Sequence, residues 1–188
     1  ANLVGLTPLL IPFQLLRPWM EDLWPHSPLN SLLTCVGANY NCTYGTTKVA
    51  FGYTGQKGIE LASDYPATSK QGTCKYDENL ANRYNEGAGL VTPKSASALK
   101  SAITNLPITV AIDASQRQFQ FYSGGVITNC PFTNANHYVL AVGYGSYQGT
   151  DAFILKNSWS VAWGVNGYAY ISTDTSIKIG RASCRERV

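Results

Sequence analysis

The chain has 188 residues, 45% of them hydrophobic and only 13% charged, a charged share well under the usual ~25%. That balance excludes a disordered chain, which needs high charge and low hydrophobicity. The net charge of +3 comes entirely from Lys178, Arg181, Arg185 and Arg187 against Glu186, so the body of the chain is neutral and offers no basic stripe to nucleic acid or anionic lipid.

Residues 1–31 fit no regular element. Pro8, Pro12, Pro18, Pro25 and Pro28 recur too often for a helix, because each proline removes an N–H and clashes with the preceding turn. The apolar residues between them follow neither a period of 2 nor one of 3.6. Residues 1–16 are apolar but lack the basic start of a signal peptide, and no apolar run is long enough to predict a membrane span. Residues 32–86 form the first organised region. Val49, Ala50, Phe51 and Tyr53 predict a short helix closed by Gly55 and Gly58. Residues 59–86 are polar, with Ser63-Asp64-Tyr65-Pro66 and Gln71-Gly72 marking loops.

The character changes near Gly87. Over residues 95–104 a helix is predicted, with Ser95 as its cap and Ala98, Leu99, Ala102 and Ile103 on one face. Strands are predicted at 108–114, 138–144, 152–157 and 167–172, apolar or β-branched runs separated by Gly, Pro and Asn. Residues 87–178 thus read as a β-rich domain. Residues 179–188 depart from that pattern and read as the translation of a sequencing-library adapter. They are expected to be a non-native tail which, like residues 1–30, packs poorly and forms little regular structure.

Five cysteines occur, Cys35, Cys42, Cys74, Cys130 and Cys184, with two histidines and no CxxC pair. This speaks against a zinc site, and nothing indicates another metal or a cofactor. An odd number of cysteines points to disulfides with at least one partner missing. The sequon Asn41-Cys42-Thr43 fits a secretory route.

The chemistry concentrates in residues 134–171. Asn136-His137-Tyr138-Val139-Leu140-Ala141-Val142-Gly143-Tyr144-Gly145 places a histidine at the head of a buried strand. Leu155-Lys156-Asn157-Ser158-Trp159 ends the next strand, and Trp163-Gly164-Val165-Asn166-Gly167-Tyr168 comes after it. Two antiparallel strands can set His137 beside Asn157. A thiol becomes a good nucleophile as a thiolate, which a neighbouring imidazolium stabilises. The imidazole then protonates the leaving amine. An amide on its other nitrogen fixes tautomer and orientation without adding charge, and Trp159 can shield that bond from water.

These segments resemble those of the papain-like cysteine proteases, papain and the lysosomal cathepsins, over roughly residues 32–175. Ser160 stands where the family has Gly, and Tyr138 where it has a small residue. The resemblance implies an α+β fold of the papain-like two-domain type. Residues 32–86 would be the remnant of a helical left domain. Residues 87–178 would be a mostly complete antiparallel β-barrel right domain. It implies a cysteine endopeptidase acting on peptide or protein substrates, monomeric, without nucleic-acid or membrane partners, and lysosomal or secreted. His137 and Asn157 would be catalytic, supported by Trp159 and Trp163. Gly45, in Cys42-Thr43-Tyr44-Gly45, and Asn136 would bind substrate. Tyr138 would do so too, narrowing the pocket for the side chain two residues before the scissile bond. Cys35 would pair with Cys74, leaving Cys42 and Cys130 without partners.

The family's Gln-x-Gly-x-Cys-Gly-Ser-Cys-Trp segment, which carries the nucleophile, is expected before residue 32. No cysteine precedes Cys35. Read two bases out of frame, residues 11–16 can give Ser-Phe-Ser-Ala-Thr, close to the run just after the nucleophile in the family, so residues 1–31 are read as an aberrant, possibly frame-shifted segment. The chain as written is expected to be inactive. Two other readings stand beside it: a proteolytically dead homologue that binds through the same surface, and a secreted disulfide-held structural domain in which His137 and Asn157 only pack.

Overall fold

The structure, a computed structural model, describes residues 29–36, 47–66, 72–81, 88–129, 135–174 and 182–185. Two compact units emerge, one of Ala1–Gly45 with Gln56–Tyr84, the other of Thr46–Gly55 with Asn85–Val188. Residues 1–28, and with them nearly all of the proline-rich start, lie outside the described residues, as do Cys42, Gly45 and Cys130.

In the first unit, helix α1 (Leu29–Cys35) ends at a cysteine that is bridged to Cys74, with Cα atoms 4.7 Å apart. The phenol of Tyr65 ties the same two segments: it lies 2.6 Å from the Thr34 hydroxyl and accepts the Lys75 N–H at 2.9 Å. Helix α2 (Thr47–Lys57) runs beyond the predicted residues at both ends; its residues 47–55 belong to the second unit and only 56–57 to the first. Gly55 lies inside it, and Gly58, at φ 74°, ends it, a left-handed conformation that glycine adopts without a Cβ clash. The Tyr76 hydroxyl donates to the Lys57 carbonyl at that end. The carboxylate of the buried Glu60 accepts the Asp77 N–H at 2.9 Å.

The second unit is built on an antiparallel sheet. Its elements in chain order are β1 (Ala88–Val91), α3 (Ala96–Ile103), β2 (Ile108–Ile112), α4 (Arg117–Gln120), β3 (His137–Tyr147), β4 (Thr150–Lys156), β5 (Tyr168–Ser172) and β6 (Ala182–Arg185). The strands pair in the order β1-β6-β2-β3-β4-β5. Helix α3 is capped as its sequence predicts: the Ser95 hydroxyl accepts the Ala98 N–H at 3.2 Å, and Leu99 and Ile103 are buried. Strands β3 and β4 join through Gln148-Gly149, with φ 51° and 79°. Asn166-Gly167, at 54° and 87°, makes a second two-residue turn between Val165 and Tyr168. Positive φ at both central residues matches the right-handed twist of the flanking strands.

The core is continuous through this unit. Ile108, Val110, Phe119, Phe153, Leu155 and Ile171 are almost fully buried, and Leu99, Tyr122, Ile127, Val139, Ala141 and Ala169 pack with them. The chain tail corrects the expectation made for it. Ala182–Arg185 is a strand, Ala88 pairing with Arg185 and Ile108 with Cys184. The physical reason is that strand pairing uses backbone groups, which every residue carries. An edge of β1 and an edge of β2 facing the same gap accept four extended residues whatever their side chains.

Candidate active site

His137 opens β3 opposite Ile112 of β2. On its other side β3 pairs with β4, Leu140 with Lys156. Continued one step, that register sets Asn157 opposite Val139, and His137 lies one diagonal place further on the same face. Side chains of this length bridge such a diagonal. His137 Nε2 lies 2.8 Å from Asn157 Oδ1.

The roles of the two groups follow from a third. The backbone N–H of Ser158 also donates to Asn157 Oδ1, at 2.8 Å. A backbone N–H can only donate, so the atom it meets is the amide oxygen, and the imidazole nitrogen on that oxygen carries the proton. His137 is therefore the Nε2–H tautomer when neutral, with Nδ1 as its free base. Asn157 is 6% exposed, and its own N–H is held by the Gly167 carbonyl at 2.9 Å. Its Nδ2 is buried without an acceptor among the described residues. An orphaned donor of that kind costs about 1–3 kcal/mol, so the amide is held in this orientation by what its oxygen accepts.

Aromatic rings surround the pair. The Trp159 ring lies 5.0 Å from that of His137, tilted by 31°, and is 38% exposed, so it screens the bond from the solvent side. Phe119 of α4 is 1% exposed, with its centroid 6.4 Å from His137, 5.5 Å from Trp159 and 4.8 Å from Trp163. The Trp163 indole N–H is shared between the carbonyls of Phe119 and Gln120, at 3.2 and 3.1 Å, which fixes α4 against the segment after Asn157. Gly164 permits that segment to turn: at φ 62°, a Cβ there would stand 2.5 Å from the Tyr168 carbonyl.

Of the other residues singled out from sequence, Tyr138 is exposed at 42%. Asn136 is not free to reach outward through its side chain. Its Oδ1 accepts the Ala114 N–H at 2.8 Å, and its Nδ2 donates to Asp113. Two residues of this neighbourhood escaped the sequence reading, Phe119 and Asp113. Phe119 sits in a helix of four residues, too short for any periodicity. Asp113 carries one local sign, the Asp-Ala-Ser turn after β2. Among the described residues no group of three His, Cys, Asp or Glu side chains could hold a metal ion, and no helix is long and apolar enough to cross a membrane.

The arrangement is an oriented imidazole with one nitrogen locked and the other available to a thiol. The model of the papain family cysteine proteases matches residues 25–186. The chain belongs to that family. Cathepsin K of Mus musculus is 39% identical over 158 residues, covering 82% of this chain and 48% of that protein. Among solved structures, the digestive procathepsin L2 proteinase of Tenebrio molitor superposes with a TM-score of 0.78 at 33% identity, covering 86% of this chain and 53% of that one. The bromelain protease of Ananas comosus, in complex with the E64 inhibitor, gives 0.77 at 30% identity, covering 87% and 79%. The chain spans about half the length of the curated relatives it matches.

Proposed function

We propose that the protein from which this chain comes is a cysteine endopeptidase using a Cys-His-Asn mechanism, with His137 and Asn157 as its histidine and asparagine. The observation that carries this reading is the 2.8 Å bond from His137 Nε2–H to an Asn157 oxygen that Ser158 also holds. Asn157 sets the imidazole so that Nδ1 faces the thiol. The imidazolium formed there stabilises the thiolate and later gives its proton to the leaving amine. Trp159 and Phe119 keep water from competing for the amide oxygen. The substrates are peptides or proteins, with Tyr138 bearing on the side chain two residues before the scissile bond. The setting is lysosomal or secreted, and the protein acts as a monomer.

In this reading the slot for the nucleophile lies ahead of Leu32 and the chain as written has no thiol there. No cysteine precedes Cys35, and the sulfurs of Cys35 and Cys74 are bonded to each other. A family-type segment carrying a cysteine, joined ahead of Leu32, should give cleavage of short peptides with an apolar residue at that second position. Thiol alkylation should abolish the activity. His137→Ala should lower it by about 10²–10⁴-fold, the usual worth of a positioned general acid–base. Alkylation-sensitive turnover by the chain as written would overturn the assignment of the missing nucleophile. If the parent transcript has Ser or Gly in that slot, the protein is a dead homologue.

A further inference from the structure

The catalytic reading of His137 and Asn157 leaves a buried carboxylate of the sheet unit unused. Asp113 is 2% exposed and stands one residue past Ile112, the partner of His137. Its carboxylate takes hydrogen bonds from the Ser115 N–H at 3.1 Å and from the Ser115 hydroxyl. It also takes them from Gln116 Nε2 at 3.2 Å and from Asn136 Nδ2 at 3.3 Å. Asn136 is fixed three times over: by Asp113, by the Ala114 N–H on its Oδ1 at 2.8 Å, and by its own N–H on the Ile112 carbonyl at 3.1 Å. A carboxylate is kept out of water only where donors replace the water, and the donors named here come from two separate pieces of chain. Ser115 and Gln116 lead into α4, which carries Phe119 beneath the imidazole. Asn136 immediately precedes His137, the first residue of β3. The first residue of a strand has ladder neighbours on one side of it only, so its side-chain direction depends on how the incoming chain is pinned.

We propose that Asp113 is a positioning residue. Through Asn136 and the turn into α4, its carboxylate holds His137 with Nε2–H on Asn157 and Nδ1 outward. The proposal rests on the reading of His137 and Asn157 as the oriented pair.

His26 and His137 are the only histidines, so the imidazole nitrogens of the full ¹⁵N-labelled chain can be followed one by one in ¹H–¹⁵N spectra. The unmutated chain should show the Nε2–H tautomer at His137, with that proton slow to exchange. Asp113→Ala should speed the exchange about tenfold or more as the ring's constraint is lost. Asp113→Asn, which keeps an oxygen for Ser115 and Asn136, should retain most of the protection. Asn136→Ala cuts the link from Asp113 to β3, and with it the bond from the Ala114 N–H, and should behave like Asp113→Ala; it serves as the deciding variant if Asp113→Ala does not fold. Leu99→Ala, in the same core but outside these bonds, should lower the melting temperature and leave the His137 nitrogens unchanged. Protection unaltered in a folded Asp113→Ala or Asn136→Ala overturns the proposal, as does an equal loss in Leu99→Ala. An unmutated chain without a protected Nε2–H at His137 overturns the oriented pair itself, and the Asp113 role falls with it.

Discussion

The two units of this chain are stabilised by different physics. In the sheet unit the most buried side chains are apolar, Ile108, Val110, Phe119, Phe153, Leu155 and Ile171 among them. Among the described residues of the other unit, 29–36, 56–66 and 72–81, the buried ones are Ser31, Gly58, Glu60, Tyr65 and Ala81, and a disulfide joins its two parts. The first gains stability from apolar area withdrawn from water, at about 25 cal/mol per Å². In the second, the described residues are held by directed bonds and a covalent link. Every bond and ring contact named here for His137 and Asn157 comes from the sheet unit, so the geometry of the pair is set by core packing. A large change in the part of the core that touches the pair, at Phe119, should disturb it, and a large change in the disulfide unit should not.

Phe119→Ala is the most severe test of that contrast. It empties the space between His137, Trp159 and Trp163, and buried Phe→Ala changes cost about 3–5 kcal/mol. Urea unfolding of the sheet unit should show a loss of that size, with the His137 Nε2–H losing its protection. A cost under about 1 kcal/mol would mean that the aromatic cluster is not part of the core.

Next in size is removal of the Cys35–Cys74 bridge, which closes a loop of 39 residues. The double change Cys35→Ala, Cys74→Ala should cost about 2–4 kcal/mol, felt by amides of residues 29–36 and 58–81 in hydrogen exchange. Amides of β3 and β4 should keep their protection. An equal loss in both units would show that they unfold as one and would remove the contrast.

How much of the molecule is legible in its sequence divides along the same line. The capped helix at Ser95 can be read from its apolar face, and strands β2 to β5 from apolar or β-branched runs that end at Gly, Pro or Asn, because the residues that build the core are contiguous there. His137 and Asn157 can be paired because two antiparallel strands impose a register. Phe119 cannot be found this way: its importance lies in contacts with residues 137, 159 and 163, which are distant in sequence. The pairing of Cys35 with Cys74 comes from resemblance to a family; spacing among five cysteines leaves it open. Strand β6 escapes a sequence reading for the converse reason. Its place depends on the backbone edges of β1 and β2 rather than on its own side chains.

Ser160 gives a smaller effect within the sheet unit. It has φ 73°, the left-handed region, in the segment that carries Trp159 and Trp163. An L-residue there is strained by about 1–2 kcal/mol. Glycine would relieve the strain, but it costs roughly 0.5–1 kcal/mol through the freedom it adds to the unfolded chain. The Ser160 hydroxyl also accepts the Ala162 N–H at 3.3 Å. Ser160→Gly should therefore stabilise the sheet unit by only about 0.5 kcal/mol, the difference between these opposing effects. A destabilised variant in thermal melts would show that the hydroxyl outweighs the strain.

The smallest effect is confined to alkaline solution. Burial pushes the Tyr122 phenol above its ordinary value, and Tyr170 is raised by burial and by the neighbouring Tyr147, whose ring stacks on it at 3.9 Å. The Tyr122 hydroxyl donates to the Gly125 carbonyl at 2.6 Å, a bond that only the protonated phenol can make. A raised acid pKa means that the folded chain holds the proton more tightly than the unfolded chain. Stability is then unaffected below the unfolded value of about 10 and falls as pH rises through the higher folded value. Lysines titrate in the same range, so the total alkaline decline would not identify its source. The difference between the unmutated chain and Tyr122→Phe cancels them. Urea unfolding from about pH 8 to 12 should give parallel stabilities up to about pH 10, then a shallower fall for Tyr122→Phe. Since Tyr122 belongs to the same core as Phe119, that difference should appear in the sheet unit and be absent from residues 29–36 and 58–81. Parallel curves over the whole range would mean that Tyr122 ionises as freely in the folded chain as in the unfolded one.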